Sequence, residues 1–191
     1  MLKKALLCFA AAALCLVAMN GCSVSTHEND NGKKKDVDIR TPFGSLSVRQ
    51  GSSDVKETGL PLYPGARPKK DDEEHGNAKV DIASPLVGVK VVAVKFESDD
   101  SPDKVLSFYR KEMGKYGKVL DCTGGFDLNF QGRRDKDAEV SCEGHGSGHG
   151  YKEELKVGTE NNQRIMAIKP RGNGSEFAVV YVKTWDGSDK M

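Results

Sequence analysis

The residues best placed to do chemistry lie in one stretch, Cys142-Glu143-Gly144-His145-Gly146-Ser147-Gly148-His149. Two histidines four apart, the first three residues after a cysteine, have metal-ligand spacing. With Cys122 they complete a Cys2His2 donor set suited to zinc. His145 and His149 are thus candidate ligands for a divalent metal, the one cofactor the sequence suggests. The plainer reading is a surface loop, because glycine at alternate positions from 144 to 150 holds ligands poorly and no helix fixes an i, i+4 register. The same glycines lack the lysine and the helix N-terminus of a phosphate-binding loop. Ser147 is abutted by glycines on both sides, unlike the Gly-x-Ser-x-Gly frame of a nucleophile elbow. Cys122 with His145 as nucleophile and base is a further option. No carboxylate sits in an apolar setting that would mark a tuned acid. The expectation is a protein that is not an enzyme, with a metal-binding protein and a hydrolase as alternatives.

The cysteines bear on these readings. The chain has five. Cys8 and Cys15 fall inside an N-terminal apolar run and Cys22 ends it, which leaves Cys122 and Cys142. In an oxidising compartment the default for two such thiols is one disulfide. Closing a loop of about 20 residues adds roughly 3 kcal/mol, mainly by restricting the unfolded chain.

The N-terminus argues for such a compartment. Lys3 and Lys4 precede an apolar run over residues 5–19, then Asn20-Gly21-Cys22. That is the layout of a secretory signal, and the run is shorter than the roughly 20 residues of a spanning helix. Met19-Asn20-Gly21-Cys22 resembles the lipobox of bacterial lipoproteins. Gly21 and Cys22 match it, Met19 stands for the usual leucine, and Asn20 departs from the usual small residue. The resemblance implies cleavage before Cys22, acylation of that cysteine, and a lipid-anchored cell-envelope protein. Ser23 rather than aspartate after the cysteine implies, in a host with two membranes, the outer membrane facing the periplasm. Plain secretion and an uncleaved anchor are the alternatives.

Cleavage removes two lysines and no acidic residue, taking the formal net charge from +1 to −1. Such a chain has no electrostatic footprint for nucleic acid, and attachment to a membrane would come from acyl chains rather than a basic patch. The expected partners are the membrane, through the lipid, and an unidentified envelope protein or ligand.

The elements that position these residues are legible as follows. Residues 1–21 are the signal and residues 22–35 the lipidated cysteine with a polar, flexible tether. Alternation of Val37, Ile39, Leu46 and Val48 around Thr41-Pro42-Phe43-Gly44 predicts a β-hairpin, followed by a linker to residue 59. The main domain spans residues 60–186, and 187–191 form a tail. Its strands are expected over 78–83, 86–96, 118–122, 151–159, 164–169 and 176–184. A further strand is suggested by Phe126, Leu128 and Phe130, with residues 138–142 returning beside it. Ser101-Pro102-Asp103 opens a helix over 102–114, with Val105, Leu106, Tyr109 and Met113 on one face and Gly114 and Gly117 as the stop. Trp185 is expected as a lid at the edge of the core. The fold class is α+β: one main helix on a twisted, mainly antiparallel sheet, with an N-terminal hairpin.

Leu62-Tyr63-Pro64-Gly65-Ala66, and forty residues on Ser101-Pro102-Asp103-Lys104-Val105 with Phe108-Tyr109-Arg110, resemble a group of uncharacterised bacterial envelope proteins. In that group a Tyr-Pro-Gly-Ala segment precedes a strand and an Asp-Ser-Pro-led helix bearing Phe-Tyr. Thr41-Pro42-Phe43-Gly44 fits the same group. The resemblance implies no activity, and the residues themselves read as core and turn.

Overall fold

Alternating apolar residues make most of this molecule one sheet. The computed structural model describes residues 22–28, 35–50, 54–69, 77–123, 138–142 and 150–186. Its strands are β1 (Ser23–Glu28), β2 (Lys35–Thr41), β3 (Gly44–Gln50), β4 (Arg67–Pro68), β5 (Ala78–Ala83), β6 (Val87–Ser98), β7 (Leu120–Thr123), β8 (Glu153–Thr159), β9 (Asn162–Arg171) and β10 (Gly174–Asp186). All pair antiparallel, in the order β1-β2-β3-β5-β6-β10-β9-β8-β7. The short β4 lies against the end of β6, at Phe96 and Glu97, beyond the reach of β5.

One helix, α1 (Pro102–Met113), packs on β8, β9 and β10. Pro102 sets its first turn. Ser101 occupies the cap position without a side-chain bond; its carbonyl accepts from the Lys104 and Val105 amides instead. Gly114 stays in right-handed geometry and begins a 3-10 turn to Tyr116, and Gly117, at φ 138°, ends it. Val105, Leu106, Tyr109 and Met113 face down onto Val94, Phe96, Leu155, Met166, Ile168, Phe177 and Val179. Because side chains alternate along a strand, Val91, Ala93, Ile165, Val180 and Val182 point to the opposite face, where they form a second apolar cluster.

Two of the expected boundaries move. Residues 23–28, read as tether, form β1 paired along β2 from Ser23↔Arg40 to Glu28↔Lys35. Backbone hydrogen bonding needs no apolar side chain, so the polar composition hid it. The linker ahead of residue 60 carries a 3-10 turn, Val55–Thr58, with Val55 and Thr58 buried. Asp54 caps it and Gly59 closes it in left-handed geometry. Residues 138–142 meet the sheet only briefly: Glu139 bridges Thr159, the Val140 amide donates to the Gly158 carbonyl at 3.2 Å, and the Ala138 carbonyl accepts from the Glu160 amide at 3.0 Å. The strand suggested within 124–137 and the tail at 187–191 lie outside the described residues.

Candidate functional site

Cys22 is exposed and immediately precedes β1. The acyl-accepting residue suggested by the sequence therefore sits directly on the edge strand of the sheet, with no described stretch of free chain between them.

Cys122 and Cys142 are joined in a disulfide, with Cα atoms 5.5 Å apart. Cys122 lies in β7 opposite Glu154 of β8, so the bridge ties residues 138–142 to the last strand of the sheet. It corrects two readings. A thiol held in a disulfide is neither a zinc ligand nor a nucleophile, so the Cys2His2 set and the Cys122–His145 pair both lose their sulfur. His145, His149 and Ser147 lie outside the described residues. Among the described residues no group of three or more histidines, cysteines and carboxylates converges as a metal site.

The Tyr63-Pro64-Gly65-Ala66 segment and the start of α1 meet in space. The Tyr63 hydroxyl donates to Asp100 Oδ2 at 2.9 Å, and the Tyr63 ring packs edge-on against Phe108 with centroids 5.2 Å apart. Lys104 holds the other Asp100 oxygen at 2.9 Å. Hydrogen bonds from Lys104 and then Tyr63 lower the Asp100 pKa, whereas burial and the Asp100 charge raise that of Tyr63. Arg67 grips Asp99 with both terminal nitrogens at 2.8 Å. These contacts fasten the proline-stiffened lead-in to the start of α1. Deeper in, the Tyr109 ring is fully buried and its hydroxyl has no hydrogen bond of ordinary geometry; burial pushes its pKa up.

Three more clusters escaped sequence reading. Lys69 and Lys169 converge on Glu176 at 3.0 and 3.1 Å, with Lys169 also 5.2 Å from the centre of the Tyr151 ring. Burial pushes the Glu176 carboxyl up, but the two lysine hydrogen bonds outweigh it and hold it below the usual range. Glu57 accepts from Lys79 at 2.6 Å, chiefly for which reason its pKa is lowered. Arg164 stacks 3.7 Å from the centre of the Tyr116 ring while its Nε donates to the Thr58 carbonyl at 2.9 Å, and the Tyr116 hydroxyl donates to the Gly59 carbonyl. Each cluster joins segments tens of residues apart, and only the strand register reveals the partners. Chemically all three are clasps: every charge named faces an opposite charge, an aromatic ring or a backbone carbonyl.

Among the described residues no helix is long and apolar enough to cross a membrane. Comparison of the chain with known protein families, curated proteins and solved structures found no match.

Proposed function

We propose that this is a lipid-anchored protein of the cell envelope, acylated at Cys22, whose α+β domain binds or scaffolds another envelope component and performs no catalysis. The observation that carries the reading is the placement of Cys22. It follows a charged and then apolar signal ending in Gly21, and it stands exposed at the first residue before the folded sheet. The disulfide between Cys122 and Cys142 suits the oxidising compartment that export would reach. The charged side chains of the site serve to clasp segments together, as expected of a scaffold. In a host with two membranes, Ser23 favours the outer membrane facing the periplasm.

The test is the intact mass of the protein extracted from its own membrane. The expected result is a chain beginning at Cys22, heavier by its lipid. A chain beginning elsewhere, or Cys22 carrying no lipid, overturns the anchor. Retention of a stoichiometric metal, lost on changing His145 and His149 to alanine, would replace scaffolding with metal binding.

A further inference from the structure

We propose that the end of the sheet next to Cys22 is a membrane-contact rim, built to rest on the headgroup–acyl boundary of the bilayer that holds the anchor. The inference rests on the reading that Cys22 is acylated, and goes beyond it by assigning a lipid-facing surface to the folded domain.

Two turns make the rim, and they are built alike. In the first, Thr41-Pro42-Phe43-Gly44, the Thr41 hydroxyl accepts from the Phe43 amide at 3.2 Å and donates to the Gly44 carbonyl at 3.0 Å. In the second, Ser84-Pro85-Leu86-Val87, the Ser84 hydroxyl accepts from the Leu86 and Val87 amides at 3.2 and 3.0 Å and donates to the Val87 carbonyl at 2.9 Å. A hydroxyl and a proline thus pin each tip, and each tip presents a large apolar side chain to solvent. Phe43 is 82% exposed and Leu86 79%. The turns pack side by side: a Cβ added to Gly44 would lie 2.6 Å from the Ala83 carbonyl oxygen and 3.0 Å from Ser84 Cβ.

The anchor leaves the sheet at the same end. Ser23 pairs with Arg40, so Cys22 stands beside the entry to the first turn. With strands about 4.8 Å apart, the first turn lies some 5–10 Å sideways from β1 and the second about 15–20 Å. Val24 and Ile82, one or two residues in from this end, are exposed as well. Val87, in the second turn itself, is exposed too, and the remaining large exposed apolar residues among those described, Leu62 and Tyr116, stand elsewhere. Leu62 adjoins Tyr63, which packs on Phe177 near the opposite end of β10, and Tyr116 lies over Arg164 in the helix layer.

Geometry supplies the occupant. A single acyl-bearing residue joined directly to a strand holds that strand's end at the bilayer surface, since successive Cα atoms are only about 3.8 Å apart. Rigid apolar tips at that height enter the boundary layer with little ordering cost. In bulk water the same two side chains would gain nothing from being held out.

The rim can be tested on the full acylated chain in phosphatidylethanolamine–phosphatidylglycerol vesicles with brominated acyl chains. Single Phe43→Cys, Leu86→Cys and Leu62→Cys variants would each carry a nitrobenzoxadiazole label. All three sites are exposed, so the label displaces no core contact. The expected result is quenching at 43 and 86 several-fold stronger than at 62. Acylated protein with equal, weak quenching at all three positions overturns the rim and leaves the anchor standing. Blue-shifted emission at 43 and 86 without bromine quenching also overturns it, by showing that a second copy or another protein covers these turns. Protein whose mass shows no lipid at Cys22 overturns the anchor and the rim together.

Discussion

One row of five valines crosses this sheet, Val37-Val48-Val80-Val91-Val182, each opposite the next on neighbouring strands. At one end Val182 is fully buried, whereas Val37, Val48 and Val80 at the other are half-buried. Val182 belongs to the apolar cluster on the face away from α1, with Ile165, Val180, Val91 and Ala93, while the other face of the same strands carries the core beneath α1. No described residue of β1, β2, β3 or β5 is buried. Identical side chains in identical backbone geometry thus reach different burial, because alternation only chooses a face, and on this face only Val182 of the row lies within the buried cluster, with Ile165 and Val180 as neighbours. The N-terminal strands are held by backbone pairing and cross-strand contacts, and the C-terminal ones by a packed core as well.

That contrast is open to attack, starting from the largest effect. Phe177 meets Tyr63, Phe96 and Tyr109 under α1. Phe177→Ala should cost about 3–5 kcal/mol, read as a fall in the urea midpoint. Removing the disulfide, with its 20-residue separation, by the double change of Cys122 and Cys142 to serine should cost roughly 3 kcal/mol. The valine row gives the direct comparison. At about 0.8 kcal/mol per buried carbon, Val182→Ala should cost near 2 kcal/mol and Val80→Ala less than about 1. Equal losses would mean that something covers the N-terminal strands in solution.

The last two predictions concern polar groups tied to the C-terminal half. The Glu176 pKa is lower in the folded protein than its ordinary 4.5. Its contribution is therefore present above that value and fades as pH falls through the folded pKa. Urea midpoints measured from about pH 6 down to about pH 3 should drop, and Glu176→Gln should flatten part of that drop. Tyr109→Phe removes a buried hydroxyl that lacks an ordinary hydrogen bond. It should leave stability unchanged or raise it by up to about 1 kcal/mol, and a loss above that size would reveal a partner for the hydroxyl.

Much of this was legible in the residues. The valine-rich run of β6, the meander of β8, β9 and β10, and the apolar face of α1 follow local period, and those elements form where expected. The Cys122–Cys142 bridge joins the two cysteines that the sequence places beyond the N-terminal apolar run and Cys22, as expected. Trp185 illustrates the limit. Its place near the end of the last strand was readable, but not that its indole lies over Gly88 so closely that a Cβ there would come within 1.8 Å of the ring. Likewise nothing local in Tyr63 or Asp100 announces their hydrogen bond, since it depends on how β4 and the lead-in lie against β6.

The sequence by itself determined the cysteine ahead of the domain, the periods that make strands or a helix, and the first apolar-tipped turn, Thr41-Pro42-Phe43-Gly44; Leu86 read instead as the start of a strand. Those are properties of near neighbours along the chain, set by side-chain size, branching and backbone freedom. Tertiary structure alone decided that the N-terminal hairpin joins the main sheet through β5, that polar residues 23–28 become its edge strand, and that both apolar turns come together beside Cys22. Strand order and register are choices among distant segments, made by backbone hydrogen bonds and shared burial that no local stretch of sequence contains.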